Sequence, residues 1–312
     1  DLPNLETEWE SNSNSLSLNK NVVLSWKNNQ NITFKITYEI DENYMFSIKQ
    51  EIFNGSNKTI DVFPYRLIKR INTPDTINFF ILHEGLISLL NDELLEKDYD
   101  DLMDDCSSAN TSKNLYCDNK SQGGWLGFTD KYWMSILIPD PIESINVNYR
   151  HGNNGRDNYR TGYVGQIFNI NPAQSISYNG HLFAGAKILD ILNYYKKTLS
   201  IPRFNDAIDW GWFSFLTKPI SHAINWFYGY VGNFGLAIIA FTILMRLILF
   251  PLAHTSFKSM AKMKKLQPEM KRLKETYPDD KQKMQQELMA LYKREGANPV
   301  AGCLPIMVQI PI

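Results

Sequence analysis

The sequence has no G-x-S-x-G elbow, no H-E-x-x-H, no P-loop and no dinucleotide fingerprint, so it lacks the short motifs that announce hydrolytic, zinc or nucleotide chemistry. Histidine is sparse in the long amino-terminal part. His83, His151 and His181 stand far apart there, so a metal or catalytic pair would have to be assembled by the fold, and surface or hydrogen-bonded histidines are the simpler expectation. No enzyme activity, cofactor or metal is expected. Cysteine occurs only at Cys106, Cys117 and Cys303. The most telling absence is of charge: Phe234 to Ala253 contains no Asp, Glu or Lys, and Arg246 is its one ionisable group. Such a run reads as a transmembrane helix. Its Leu, Ile and Phe residues each favour insertion by about 0.3–0.6 kcal/mol, which together outweigh the roughly 2.5–3.5 kcal/mol cost of one central Arg.

Charge differs on the two sides of that run. Residues 1–209 hold 19 Lys and Arg against 27 Asp and Glu, whereas residues 254–297 hold 11 against 6. The short basic side is cytoplasmic by the positive-inside rule, which leaves residues 1–209 outside. The basic charges spread over helical faces rather than clustering, so no DNA partner is expected. The first residue, Asp1, is preceded by nothing that would carry the external part across a membrane, and the apolar run 299–312 is shorter than a span. The expectation is a fragment that lacks an amino-terminal anchor and stops at the start of another transmembrane helix.

The division expected is an external β-sandwich over 1–205, an interfacial amphipathic helix over 206–232, a transmembrane helix over 233–253, a cytoplasmic helical hairpin over 254–297, and the start of the next span over 298–312. In the first of these, Ile32 to Ile40 alternates apolar and polar residues without a break, the pattern of a half-buried antiparallel strand. Similar runs at 22–26, 44–53 and 59–71, separated by Asn, Asp, Gly and Ser turns, predict a meander, and a β-sandwich is the economical reading. Further strands are predicted at 125–128, 133–139, 163–168 and 175–183, followed by a helix over 184–198. The polar, acidic stretch 92–124 reads as a long surface loop. It carries Cys106 and Cys117, which in an oxidising compartment either pair across the intervening residues or stay as two thiols. Cys303 reads as a small packing residue.

Between the external part and the span, Trp210, Trp212 and Trp226 lie among several Phe and Tyr, a density that belongs at lipid headgroup level. Ile220, Ala223, Ile224 and Phe227 repeat at helical spacing after Pro219, which predicts a helix lying on the outer surface. Past the span, Met260, Met263, Leu266, Met270 and Leu273 make one apolar stripe and Met284, Leu288 and Leu291 a second. Asp279 is placed to cap the second helix with Gln282 as its partner.

From residue 211 onward the chain resembles the YidC/Oxa/Alb family of membrane protein insertases. The segments that carry the likeness are VGNFG (231–235), MRLILFPL (245–252), SMAKMKKLQPEM (259–270), YPDDKQKMQQELMALYKREGANP (277–299) and AGCLPIMVQIP (301–311). ITFKITYEI and GGWLGFTDKYW are similar, more loosely, to the large periplasmic domain of Gram-negative members. The resemblance implies a mutarotase-like β-supersandwich followed by a multi-pass helical part in the bacterial inner membrane. It implies a hydrophilic groove whose single positive charge matches Arg246, and a function of guiding nascent membrane proteins into the lipid bilayer, alone or beside the Sec translocon. The basic faces and Met stripe of the hairpin point to cytoplasmic partners such as the ribosome or an incoming chain. Thr242 and Gln309 are the other polar groups that could line the groove. Two competing readings are a membrane-anchored periplasmic sugar-binding domain and a channel or transporter subunit with Arg246 facing an ion path.

Overall fold

The computed structural model describes residues 2–4, 6–76, 82–107, 117–153, 155–211, 213–277 and 281–295. It divides between Asp209 and Trp210 into two compact units.

The first unit opens with β1 (Glu10–Ser11), β2 (Val22–Lys27), β3 (Ile32–Ile40) and β4 (Met45–Asn54), so the alternating run forms one strand over its whole length. The run expected as a single strand over 59–71 is two, β5 (Ile60–Val62) and β6 (Tyr65–Ile71). Pro64 lies at the break and has no N–H for a ladder. After β7 (Gly85–Leu90) the expected long loop is largely ordered. It contains β8 (Glu93–Lys97), helix α1 (Tyr99–Asp105) and β9 (Asp118–Gln122), while residues 108–116 lie outside the described set. Its acidity hid the helix: Asp98 is the N-cap, accepting from the Asp101 amide at 2.9 Å, and Asp100 and Asp101 occupy the first turn, where the helix dipole favours negative charge.

The unit continues with β10 (Trp125–Thr129), β11 (Trp133–Ile138), β12 (Ser144–Asn153), β13 (Asp157–Val164), β14 (Phe168–Ile170), β15 (Ser175–Ala186) and α2 (Leu189–Thr198). The strand expected over 163–168 is instead the end of β13 and the start of β14. The helix expected from 184 starts at Leu189, because Ala184 and Ala186 pair with Ser135 and Trp133 of β11.

Nine antiparallel strands form one sheet in the order β1-β2-β3-β4-β15-β11-β10-β7-β8, four form a second in the order β6-β13-β12-β9, and β14 pairs with β5. Strand parity sends successive side chains to opposite faces. Leu86 and Leu90 of β7 join Leu126, Phe128, Tyr149 and Tyr163 between the two sheets. Ile87 and Leu89 point the other way, to Trp125, Phe183, Leu192 and Phe204, where α2 and a 3-10 turn at Phe204–Ala207 form a third layer. Trp125 donates from Nε1 to the Pro202 carbonyl at 2.9 Å, which satisfies its one polar atom in that core.

The second unit consists of α3 (Ser214–Val231), α4 (Phe234–Thr276) and α5 (Lys281–Arg294). Gly232, at φ 68°, ends α3 in the left-handed conformation, and Asn233 starts α4 by accepting from the Leu236 amide at 3.2 Å. The 43 residues of α4 run on through Pro251 and Pro268, so one helix carries both the expected span and the first half of the expected hairpin. At 1.5 Å per residue the helix is about 65 Å long, roughly twice a bilayer core. Leu291 of α5 and Leu266 of α4 are buried among Met263, Met270, Leu273 and Tyr292, and Arg294 pairs with Glu269 at 3.1 Å. Asp279 lies outside the described residues, as does Cys303.

Candidate functional site

Thr242 and Arg246, four residues apart on α4, share one helix face. The Thr242 hydroxyl donates back to the Ile238 carbonyl at 2.8 Å, which tolerates it in an apolar helix. Arg246 is exposed, and among the described residues no carboxylate pairs with it. The less exposed residues of this part of α4, Ala237, Phe241, Met245 and Leu249, lie on a neighbouring face. α3 packs on α4, and its own half-buried residues, Leu216, Ile220, Ala223, Ile224 and Phe227, recur at helical spacing. Around the rest of the helix Leu247, Ile248 and Phe250 are more than half exposed. Protein covers almost none of the most apolar stretch, which is long enough to cross a membrane. In water so much bare apolar surface would be costly, but lipid solvates it. Gln309, expected beside Arg246, lies outside the described residues.

Of the three tryptophans expected at headgroup level, Trp210 has the Lys218 ammonium 5.5 Å from its ring and Trp226 stacks edge-on with Phe227 and Tyr230. Trp212 lies outside the described residues. Lysine beside an indole suits the boundary between lipid and water.

In the first unit Cys106, the C-cap of α1, is bonded to Cys117 at the start of β9, and both are fully buried. Each histidine finds a separate local partner: His83 Nε2 the Leu86 carbonyl at 2.8 Å, His151 Nε2 the Asp157 carboxylate at 2.9 Å, His181 Nδ1 the Ser47 hydroxyl at 3.2 Å. Among the described residues no three potential ligands gather around a metal position.

What the sequence gave no sign of is a cleft of about 1120 Å³ in the first unit, floored by β3, β4 and β15 and walled by Pro64, Leu67 and Phe168. Arg66 lies at its base, only 7% exposed. The guanidinium donates from Nη2 to the Ile48 carbonyl at 2.9 Å and from Nε to Gln50 at 3.3 Å, and stands over the Tyr178 ring. Tyr178 donates to Glu143, and burial, only partly opposed by that bond, raises the pKa of the Glu143 carboxyl. Arg66 reads in sequence as one more polar residue in an alternating strand.

Comparison with known proteins agrees with this two-part structure. Residues 1–223 match the family model of the YidC periplasmic domain, and residues 226–312 match that of the 60Kd inner membrane protein. Proteins named membrane protein insertase YidC from Rickettsia felis and Rickettsia prowazekii are each 44% identical over the whole chain, which spans 54% of their length. A crystal structure of an active YidC insertase, 21% identical, aligns over 94% of this chain and 53% of its own, with a TM-score of 0.30. The chain belongs to the YidC family of bacterial inner-membrane proteins.

Proposed function

We propose that this chain is the part of a membrane protein insertase and chaperone that runs from its periplasmic domain to the start of its third transmembrane helix. In this reading residues 1–209 are periplasmic, a mutarotase-like supersandwich without catalytic role. Helix α3 lies along the outer surface with Trp210, Trp212 and Trp226 at headgroup level. The first half of α4 crosses the membrane, and its second half forms a cytoplasmic hairpin with α5. The hairpin offers basic faces to nascent chains and the ribosome. Arg246, with Thr242 and Gln309, lines a hydrated groove that receives the polar tail of a client while the client's apolar segment passes into lipid. The work is done by binding, with no covalent step and no nucleotide, alone or beside the Sec translocon.

The observation that carries this reading is a single cation, Arg246, in the apolar first half of α4, most of whose surface no protein covers. Arg246 lies seven residues before Ala253, roughly 10 Å inside the cytoplasmic edge. A fixed charge there is tolerated if hydrated, and it attracts acidic tails. The test uses the complete protein and one client whose tail is acidic or neutral. Arg246→Ala should lower insertion of the acidic tail about tenfold, equivalent to about 1.4 kcal/mol, while Arg246→Lys retains most of it. Equal insertion of the acidic tail by Arg246→Ala and wild type would leave only an arginine that snorkels to the headgroups.

A further inference from the structure

Nine strands make one sheet and only four face it, so the inner face of the larger sheet continues past the smaller one over β4 and β3. Strand register sets the side chains there in rows. Phe34, Ile52 and Ile176 stand side by side, and Ile36, Gln50 and Tyr178 form the next row. One strand step further, Gly180 stands beside Ile48, and the Arg66 guanidinium rests there. A Cβ built on Gly180 would overlap Arg66 Nη1, so glycine leaves the room the guanidinium occupies. The floor of the cleft is therefore graded along its length, aliphatic and aromatic at one end and cationic at the other, while Leu2, Asn4, Trp9, Lys35, Glu51 and Asp61 line it as well.

The cationic end is under-compensated. Arg66 Nη1 and Glu143 Oε1 are buried without a well-formed hydrogen bond, although the guanidinium adjoins the Tyr163 hydroxyl and lies in the field of Glu143, and Glu143 adjoins the Gln166 amide. No carboxylate forms an ion pair with Arg66 among the described residues. A buried guanidinium with a spare N–H is costly unless something accepts from it. The Nε contact to Gln50, at 3.3 Å, is the longest Arg66 makes and the easiest to exchange.

We propose that the cleft binds a long-chain carboxylate, with its alkyl chain along Phe34, Ile52 and Ile176 and its head group exchanged for Gln50 at Arg66. Charge-assisted hydrogen bonds from the guanidinium fix the head, and the apolar rows of the floor, where Phe34 is buried and Ile52 and Ile176 half-buried, cover the chain. The site is separate from the face of α4 that bears Arg246 and does not depend on insertase activity.

The experiment uses the complete protein in lipid nanodiscs and a dodecanoate carrying a diazirine at its chain end, with the matched alcohol as the second probe, and maps labelled residues by mass spectrometry. The expected result is labelling of β3, β4 and β15 by the carboxylate, at least about fivefold above the alcohol, a ratio of about 1 kcal/mol. Arg66→Gln should remove that preference, and Ile52→Glu, on the open part of the sheet, should lower labelling by both probes without disturbing the fold. Labelling confined to α4, equal labelling by acid and alcohol, an unchanged cleft signal in Ile52→Glu, or displacement by maltose rather than by unlabelled dodecanoate would each overturn the proposal.

Discussion

The two units place their apolar residues in opposite ways. In the first, Leu86, Trp125 and Tyr149 are fully buried between packed layers. In the second, Leu247 is 66% exposed and Phe250 63%, and Ala237 is the fully buried apolar residue of α4. Water drives the first arrangement, since burial removes apolar surface from it. The second needs another solvent, because a helix with satisfied backbone groups and a bare apolar surface is at rest in lipid. Exposure of a leucine therefore means different things on the two sides of Asp209.

The sharpest way to break that comparison is to delete the same side chain on each side. Leu86→Ala opens a cavity in the sandwich and should cost about 3–5 kcal/mol. Leu247→Ala changes only a lipid-facing surface and should cost less than about 1 kcal/mol. Hydrogen exchange of β10 and α4 amides in the two variants reads both effects, and comparable losses would mean that protein, not lipid, covers α4.

Reducing the disulfide comes next in size. The bond between Cys106 and Cys117 closes a short loop, for which the chain-entropy estimate is about 3 kcal/mol. A reductant should lower the melting temperature of the first unit and leave the helices unchanged. An unshifted melt would show that burial alone holds α1 against β12 and β9.

Acid should separate the units more gently. Burial, and then the Arg66 guanidinium, hold His181 below the ordinary imidazole value against the pull of Asp41 and Asp140. The unfolded chain therefore takes up a proton near pH 6.5 while the folded unit does not, so stability is lost as the pH falls below that value, by at most about 1.4 kcal/mol per pH unit. Denaturant unfolding of wild type and His181→Gln between pH 7.5 and 5 should differ in slope in this sense. Parallel curves would remove His181 as the cause. The smallest effect is expected at Arg294 and Glu269, an exposed pair between α5 and α4. Arg294→Ala should change the protection of α5 by less than about 0.5 kcal/mol, and a larger loss would mean the pair holds the two helices together.

Local pattern was enough for some of this structure. Strand β3 follows from alternation because one face of a half-covered sheet meets water and the other does not. Helix α4 was visible because a long run with one charge has few other fates, and its polar continuation showed in the apolar stripe from Met260 to Leu273. Strand β7 escaped because it is buried on both faces and so has no alternation to show. Helix α1 escaped because its acidic residues serve as cap and first turn. At the site, Arg246 and Thr242 could be assigned to one face from their spacing alone, since i and i+4 meet on any helix.

The cleft could not be found that way. β4 pairs with β15, bringing Ser47 against His181 and Ile52 against Ile176, and nothing within either strand names a partner so distant in sequence. Nor does a sequence state that nine strands will pack against four, which is what leaves a cleft over Phe34 and Ile52 and sets Arg66 at its end. The same is true of Cys106 and Cys117, whose pairing depended on α1 and β9 being brought to the same part of the core. Short-range order follows from the covalent chain and its solvent preference, and is therefore written in periodicity. Pairing of distant strands is settled by which assembly buries the most apolar surface with every backbone group bonded, a property of the whole sandwich that no single stretch of residues carries.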